Sequence, residues 1–585
     1  MTPIFKRAGK MWWLPVLLIL LLINFTAARI HTRFDLTKEK RFTVSRPVKR
    51  MLAMINDVIS IDVFLKGEYP SGFKRLASST EELLYEFKET AGEKIQYHFI
   101  GPDEQMEGTS RTYADTLASL GIDPINLKVQ LKSGEQSQYV YPAALVKYKG
   151  RTEAVSLYPG TRILITPPEL NSAEALLEYK FANAIEKITQ TNKAMVGYAI
   201  GNGEPIPGAL NTFDLVENVL KKEYSLFSLD INKHPFIPDT FKLLVIVKPS
   251  ISFTEDEKLK IDQYVMRGGK IIWCIDRLNA EADSLRLKNQ VIAYDRNLNL
   301  EDLLFKYGVR INPDLIMDLQ CDFLPFAVNG QTGDGGASAQ AQFEFLHWNY
   351  FPLFESKSNH PINKNIGLVA GRFVNSIDTV QSPNLTKTIL LSSSSNSRAI
   401  TAPALISGEE NRNAPEDAAF KMKNIPAAVL LEGKFTSLYA NRIPASVIDS
   451  MARYGETFQT SSIADNKMIV ISDGDLVLNG VSQGQPLPMG VNQFTIGTQY
   501  QYQFSNKEFV ENSLEYLLNN SGLSEAKNKD YVLRLLDGKK VNEQKTYWLL
   551  FDIAMPVFLV FIFAVIYQWW RKSKYVRHQV NDIEA

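Results

Sequence analysis

Three places in this 585-residue chain carry residue types and spacings that chemistry could use. The first is the turn Gly201-Asn202-Gly203-Glu204-Pro205, which follows the apolar run AMVGYAI (194–200) and leads into a helical pattern near Thr212 to Lys221. Open α/β sheets receive ligands at the carboxyl ends of their strands, often against a helix start. Asn202 and Glu204 are therefore candidate ligand or partner contacts. The same residues also fit a plain tight turn whose glycines take positive φ. The second place is Asp552, the one charged residue in the run Tyr547 to Trp570. A carboxylate inside a membrane span is costly and by default marks a function, here pairing with a basic residue on a partner helix. Near the outer end of its span, it could equally reach interfacial water. The third is Cys274 in the strand-like run KIIWCID, where a buried, inert thiol is expected. A bridge to the other cysteine, Cys321, stays open.

Several reaction classes lack their residues. No GxxxxGK[ST] phosphate loop, HExxH or CxxC occurs, and the six histidines are scattered without ligand spacing. No G-x-S-x-G or cysteine elbow directly follows a strand. We therefore expect no catalytic residue, no metal and no cofactor. The 64 basic and 64 acidic residues balance to zero net charge, so no nucleic-acid footprint appears. Two cysteines cannot frame a small disulfide-held domain.

The elements that would position these residues begin at the ends. Tyr547 to Trp570 has the roughly 20 apolar residues a membrane helix needs. Tyr547, Trp548, Trp569 and Trp570 flank it as interfacial rings, and Arg571, Lys572, Lys574 and Arg577 place the tail 571–585 in the cytoplasm. At the other end, Lys6, Arg7 and Lys10 precede the apolar stretch Met11 to Ala28. We expect residues 11–28 to be an uncleaved transmembrane helix after a cytoplasmic segment 1–10, with a cleavable signal peptide as the alternative. Two spans would leave both termini cytoplasmic and residues from about 30 to 546 on the far side.

That body is long enough for more than one domain. Residues 29–58 read as a juxtamembrane segment and helix, with Ser45 as its N-cap, Pro47 in the first turn and Val48, Met51, Leu52 and Ile55 at helical spacing. Residues 59–190 read as a first α/β domain. Its strands are expected at 59–65, 95–100, 127–131, 139–147 and 151–157, a helix at 76–90, and a closing helix at 172–189 capped by Ser172. Residues 193–520 read as a second, doubly wound α/β domain. Its strands are expected at 194–200, 224–229, 243–247, 271–276 and 467–477, and its helices at 212–221, 254–266 and 507–518. The region 320–465 is less regular. It holds the Gly-rich run 330–339, the Ser-rich run LLSSSSNSR (390–398), the polar run 409–417 and the strand-like AAVLLEGKF (427–435). A linker, 521–546, leads to the last span.

Asp35-Leu36-Thr37, followed by Phe42-Thr43-Val44-Ser45, resembles the DLT and YSLS-like motifs that open the auxiliary, substrate-binding-like extracytoplasmic subunits of certain ABC transporters. The best-known members belong to the gliding-motility apparatus of Bacteroidetes. Phe42 and Val44 replace the commoner Tyr and Leu conservatively. The resemblance continues through Gly201 to Glu204 for a GHGE-like turn and Gly268 to Asp276 for a GGK-strand. It ends with Gly474-Asp475, Phe509, Asn512, Leu514, Tyr516 and Leu517. It implies two extracytoplasmic α/β domains, the second glutamine-amidotransferase-like, between N- and C-terminal transmembrane helices. It further implies a non-catalytic subunit in the bacterial inner membrane, its bulk periplasmic, supporting gliding motility. The multi-span permease and the cytoplasmic ATPase would be separate chains, with homo-oligomerisation left open. A solute-binding receptor with a small-molecule cleft and a ligand-free envelope scaffold are the alternatives; a hydrolase or amidotransferase would need a nucleophile elbow.

Overall fold

Short apolar runs, five or six residues long and largely buried on both faces, build the parallel centre of the largest sheet of this molecule, as strands covered on both sides by helices must. The computed structural model describes residues 17–22, 24–25, 43–67, 69–106, 111–120, 122, 124–131, 134–158, 167–190, 192–281, 290–327, 343–355, 360–364, 366–407, 417–518, 522–528 and 538–581. The chain divides into two compact units, 1–531 and 532–585.

In the first unit, α1 (Arg46–Ala53), β1 (Ile59–Val63), α2 (Ser71–Ala91), β2 (Ile95–Phe99) and α3 (Tyr113–Ser119) lead to the hairpin β3 (Ile125–Leu131) and β4 (Gly134–Val140). Strands β5 (Ala143–Tyr148) and β6 (Arg151–Ser156) and helix α4 (Pro167–Thr189) follow. The sheet order is β2-β1-β5-β6, with β1 and β2 parallel and the other pairs antiparallel. The expected single strand 139–147 is two strands. Tyr141-Pro142 separates them, because proline has no N–H to give to a ladder, and β4 pairs with β3 while β5 pairs with β1. Two cap expectations also change. Ser45 does occupy the N-cap of α1, but its side chain makes no capping bond; its backbone N–H donates to Glu178 Oε1 at 2.7 Å. Helix α4 starts five residues before Ser172, at Pro167, a residue pre-shaped for a first helical position.

The seven-stranded sheet uses β7 (Met195–Ile200), β8 (Ser225–Asp230), β9 (Leu243–Val247), β10 (Lys270–Cys274), β11 (Leu385–Ser392), β12 (Pro426–Gly433) and β13 (Asn466–Ile471). Their order is β11-β12-β13-β10-β9-β7-β8. The five strands β13, β10, β9, β7 and β8 are parallel, in the doubly wound order 2-1-3-4-5. Strands β11 and β12, from the region that looked irregular, extend the sheet antiparallel. One face packs Val245, Ile272, Ile469 and Leu430 against Leu215, Val219, Phe509 and Leu514. The other packs Leu244, Ile271, Trp273 and Val470 against Ile261, Tyr264, Leu303 and Tyr307. These come from α5 (Glu255–Met266), α6 (Glu301–Tyr307), the π-helix Asp214–Leu220 and α7 (Asn506–Leu518). Thr254 caps α5 reciprocally with Glu257.

Part of the expected linker 521–546 is ordered. Leu523 and Ala526 bury in the core of the first sheet, and Lys527 Nζ donates to Asn512 Oδ1 at 2.6 Å. The Ser-rich run bends between β11 and the strand Ser397–Thr401, and Asp318 accepts from Ser394 N at 2.6 Å and Ser394 Oγ at 2.5 Å. Both cysteines are free and buried, so no bridge joins them. The runs 330–339 and 409–416, the DLT motif and most of Met11 to Ala28 lie outside the described residues.

The second unit contains α8 (Gly538–Asn581). Its segment Gln544–Ser573 is, among the described residues, one helix long and apolar enough to cross a membrane, and it carries Pro556 in its interior.

Candidate functional site

In a 2-1-3-4-5 sheet the chain reverses its winding between the first and third parallel strands, and ligands commonly bind outside the carboxyl ends of the strands there. In this molecule those strands are β7 and β9. The turn after β7 holds Asn202 and Glu204 together, as the sequence suggested. Asn202 N donates to Glu204 Oε2 at 2.7 Å, and the Asn202 carbonyl accepts from Ser250 N and Ile251 N at 2.8 and 2.9 Å. The glycine at 203 is required: its φ is +77°, and a Cβ there would stand 2.1 Å from Ser250 Oγ. Asn202 is 2% exposed and Glu204 8%. Among the described residues, Asn202 Oδ1 and Glu204 Oε1 have no hydrogen-bond partner. Burial pushes the Glu204 carboxyl above its ordinary range.

Exposed apolar side chains stand on the loops that carry these atoms. Ile206 is 75% and Ile251 57% exposed, with Leu210 and Phe213 also exposed. The loop that carries them is fastened from beneath. Asn479 Nδ2 donates to Leu210 O at 2.6 Å, Asn479 Oδ1 accepts from Asp214 N at 3.1 Å, and Asp214 accepts from Met489 N at 2.7 Å. A π-helix follows at once, a form concentrated at functional sites.

Sequence reasoning missed the charged cluster at the neighbouring strand ends. Lys248 directly follows β9 with φ +44°, in a left-handed conformation unusual for its type. Its Nζ stands 2.6 Å from Asp475 Oδ1, 3.0 Å from Glu281 Oε2 and 3.3 Å from Asp276 Oδ2. Burial alone would lower the ammonium pKa; the three carboxylates outweigh it and hold it above the ordinary value. Burial, against the pull of Lys248, raises Asp276 to about 6. Asp473 is raised by burial and by Asp276 and Asp475 beside it. Asp276 accepts from Gly474 N at 2.5 Å, and Asp473 from Arg372 N at 2.8 Å. The missed signal was positional: VIVK, CID and ISD each put a charge just past a parallel strand.

The two sequence features that could suggest a nucleophile do not form an elbow among the described residues. Cys274 is the last residue of β10, buried, with burial pushing its thiol up. The string Gly480-Val481-Ser482-Gln483-Gly484 does spell G-x-S-x-G. However, Val481–Ser482 and Gln485–Pro486 are the arms of a two-residue hairpin turning at Gln483 (φ 51°) and Gly484 (φ 74°). That is a type I′-like turn, not a strand-to-helix elbow. The cluster's counter-charge is the Lys248 ammonium, and among the described residues no group of three or more His, Cys, Asp or Glu could hold a metal.

Asp552 belongs to the second unit, exposed on α8. Pro556 lies four residues on and lacks the N–H that would bond the Asp552 carbonyl. The carboxylate thus sits one turn before the proline that interrupts the helix's own bonding pattern.

Comparisons with known proteins place the chain in a family. Residues 38–147 match a family model described as a domain of unknown function. An uncharacterized protein of Borreliella burgdorferi is 21% identical over 300 residues, which are 51% of this chain and 54% of the relative. The chain thus spans about half the length of the curated relative it matches. Among solved structures, the mmIFT52 N-terminal domain aligns at TM-score 0.31 and 12% identity, covering 56% of this chain and 98% of that one. The exo-beta-1,4-mannosidase Op5Man5 from Opitutaceae bacterium strain TAV5 aligns at TM-score 0.18 and 10% identity, covering 75% and 51%. Both structural scores are too low to carry an argument. Residues 193–513, more than half of the chain and the whole seven-stranded sheet, match the model of another family, and the chain belongs to it: the ABC-type uncharacterized transport system family.

Proposed function

We propose that this chain is the non-catalytic, membrane-anchored extracytoplasmic subunit of an ABC transporter-like complex that supports gliding motility. The observation that carries the transport-system part of this reading is the family match over residues 193–513, while the gliding-motility part rests on the motif resemblance alone. Family membership implies association with permease and ATPase components, here separate chains. The apolar segment Gln544–Ser573, with Arg571 and Lys572 at its end, supports a C-terminal anchor in the bacterial inner membrane with a cytoplasmic tail. An uncleaved helix over residues 11–28 would make the second anchor, leaving the α/β body periplasmic. The parallel order of the second sheet is compatible with the glutamine-amidotransferase-like identity the sequence implied.

In this reading Asn202 and Glu204 and the exposed loop 206–213 contact a partner, and Asp552 pairs with a donor on a permease helix. The groups with catalytic potential are already committed, Lys248 to three carboxylates and Cys274 to a strand. That supports binding over chemistry. The test is a mild-detergent pull-down from native membranes with a tag on the C-terminus, assaying ATPase activity in the eluate. Recovery of an ATPase and a multi-span permease is expected; recovery of this chain alone across several detergents would refute the reading.

A further inference from the structure

A second cleft, of about 570 Å³, lies on the opposite face of the sheet from the π-helix and is used by nothing described above. Its floor is apolar: Ile275, Leu298, Leu300, Leu304, Ile311 and Leu438. Phe305 stands exposed at its mouth. Ligand pockets commonly measure roughly 300–1,000 Å³ and combine apolar walls with a few convergent polar groups. At on the order of 30 Å³ per water-sized group, this one holds a chain of about a dozen carbons and a head group.

The charges around the cleft are not balanced. Its acids are taken: Glu301 lies 3.5 Å from Arg277 Nη2, and Asp302 Oδ1 and Oδ2 lie 3.0 and 3.2 Å from Lys258 and Arg442. Arg277 is held by Asp295 at 2.9 Å and by the Ile311 carbonyl at 2.6 Å. Lys306 and Arg310 also line the cleft, and neither has an ion-pair or hydrogen-bond partner among the described residues. Asp378 faces Arg310 across the strand pair, but it accepts from Asn312 instead. An apolar floor with two uncommitted cations complements one kind of molecule, an apolar body ending in an anion.

We propose that this cleft binds a single-chain anionic amphiphile of fatty-acid type, its chain on the Leu300–Leu304 floor and its carboxylate at Lys306 and Arg310. This inference stands apart from the transporter reading: it rests on the cleft, not on the family. The test uses the full chain in lipid nanodiscs and dodecanoic acid bearing a chain diazirine as photoprobe, with adducts mapped by mass spectrometry. Labelling is expected on peptides spanning 298–311. It should be competed by dodecanoate and not by dodecan-1-ol, and fall about tenfold in Lys306→Gln/Arg310→Gln, since exposed ion pairs are each worth a few-fold. Both substituted side chains lack partners among the described residues, so unchanged melting should accompany the loss. Absence of adducts from 298–311, equal competition by the alcohol, or undiminished labelling of the double variant would overturn the proposal.

Discussion

Lys248→Met tests the charged cluster most directly. The substitution keeps an unbranched chain but removes the cation within 3.3 Å of Asp276, Glu281 and Asp475. Removing one partner from a buried ionic group costs about 3–5 kcal/mol, because the charges left behind lose their compensation. Glu281 is partly exposed, so the weight falls on Asp276 and Asp475, and the lower end is the better estimate. Unfolding entropy of about 2.1 cal/mol/K per residue over roughly 320 residues makes each kcal/mol worth about 1.5 °C. The expected loss is therefore about 4–7 °C in a melt followed by the chain's tryptophans.

The pH dependence supplies the sharper discriminator. Asp276 already has a folded pKa of about 6, above the ordinary value of 3.8. A carboxyl raised in the folded state contributes stability present below its unfolded pKa and lost as pH rises through its folded pKa. Without Lys248 that folded value climbs further, so the gap between variant and wild type should widen from pH 5 to pH 8. Adding Asp475→Asn to Lys248→Met should return part of the loss. A melt within about 1 °C of wild type, or a gap that narrows with rising pH, would refute the idea that Lys248 neutralises these strand ends.

Four further outcomes follow from the same geometry. Gly474→Ala should destabilise by about 1–3 kcal/mol, since its Cβ would stand 2.6 Å from Lys248 Cβ, and thermal melts would read this. Asp276→Asn should flatten the wild-type loss of stability between pH 4 and 6, worth up to about 3 kcal/mol at 1.36 kcal/mol per pKa unit. Ile206→Glu with Phe213→Ser should leave the melt unchanged but weaken partner recovery in the pull-down; undiminished recovery would remove the loop from the interface. Asp552→Leu should reduce permease recovery severalfold, and equal recovery would make Asp552 an interfacial bystander.

Much of the sheet was legible because parallel strands buried on both faces must be continuous apolar runs, as LLVIV and KMIVI are. Glycines and caps marked their ends. The antiparallel extension was not legible: Leu385–Ser392 and Pro426–Gly433 have ordinary strand patterns, and their place depends on long-range pairing across the sheet. Tyr139 to Lys147 failed for a local reason, since proline breaks a ladder even inside a run of strand formers. Of the candidate site, the 201–204 turn was readable from its glycines and its position. The Lys248 cluster was not, because its members lie as far as 227 residues apart in sequence and only topology gathers them.

The two polar groups at these strand ends differ in how they are satisfied. At Lys248 one ammonium is shared by Asp276, Glu281 and Asp475, so this side ties the ends of β9, β10 and β13 together. At Asn202 and Glu204 two buried acceptor atoms have no partner among the described residues, beside exposed Ile206, Phe213 and Ile251. An unmatched buried acceptor costs about 1–3 kcal/mol, a cost that an arriving N–H or O–H donor would relieve. Rigid elements hold such groups in place more precisely than loops alone. A partner supplying one donor between apolar side chains would thus satisfy both features at once. The variant that separates them is Asn202→Leu, which removes the unmatched amide while keeping the side chain's approximate size. If the amide serves binding, Asn202→Leu should melt no lower than wild type yet lose partner recovery. If it serves only the turn, the melt should fall and recovery should follow the folded fraction.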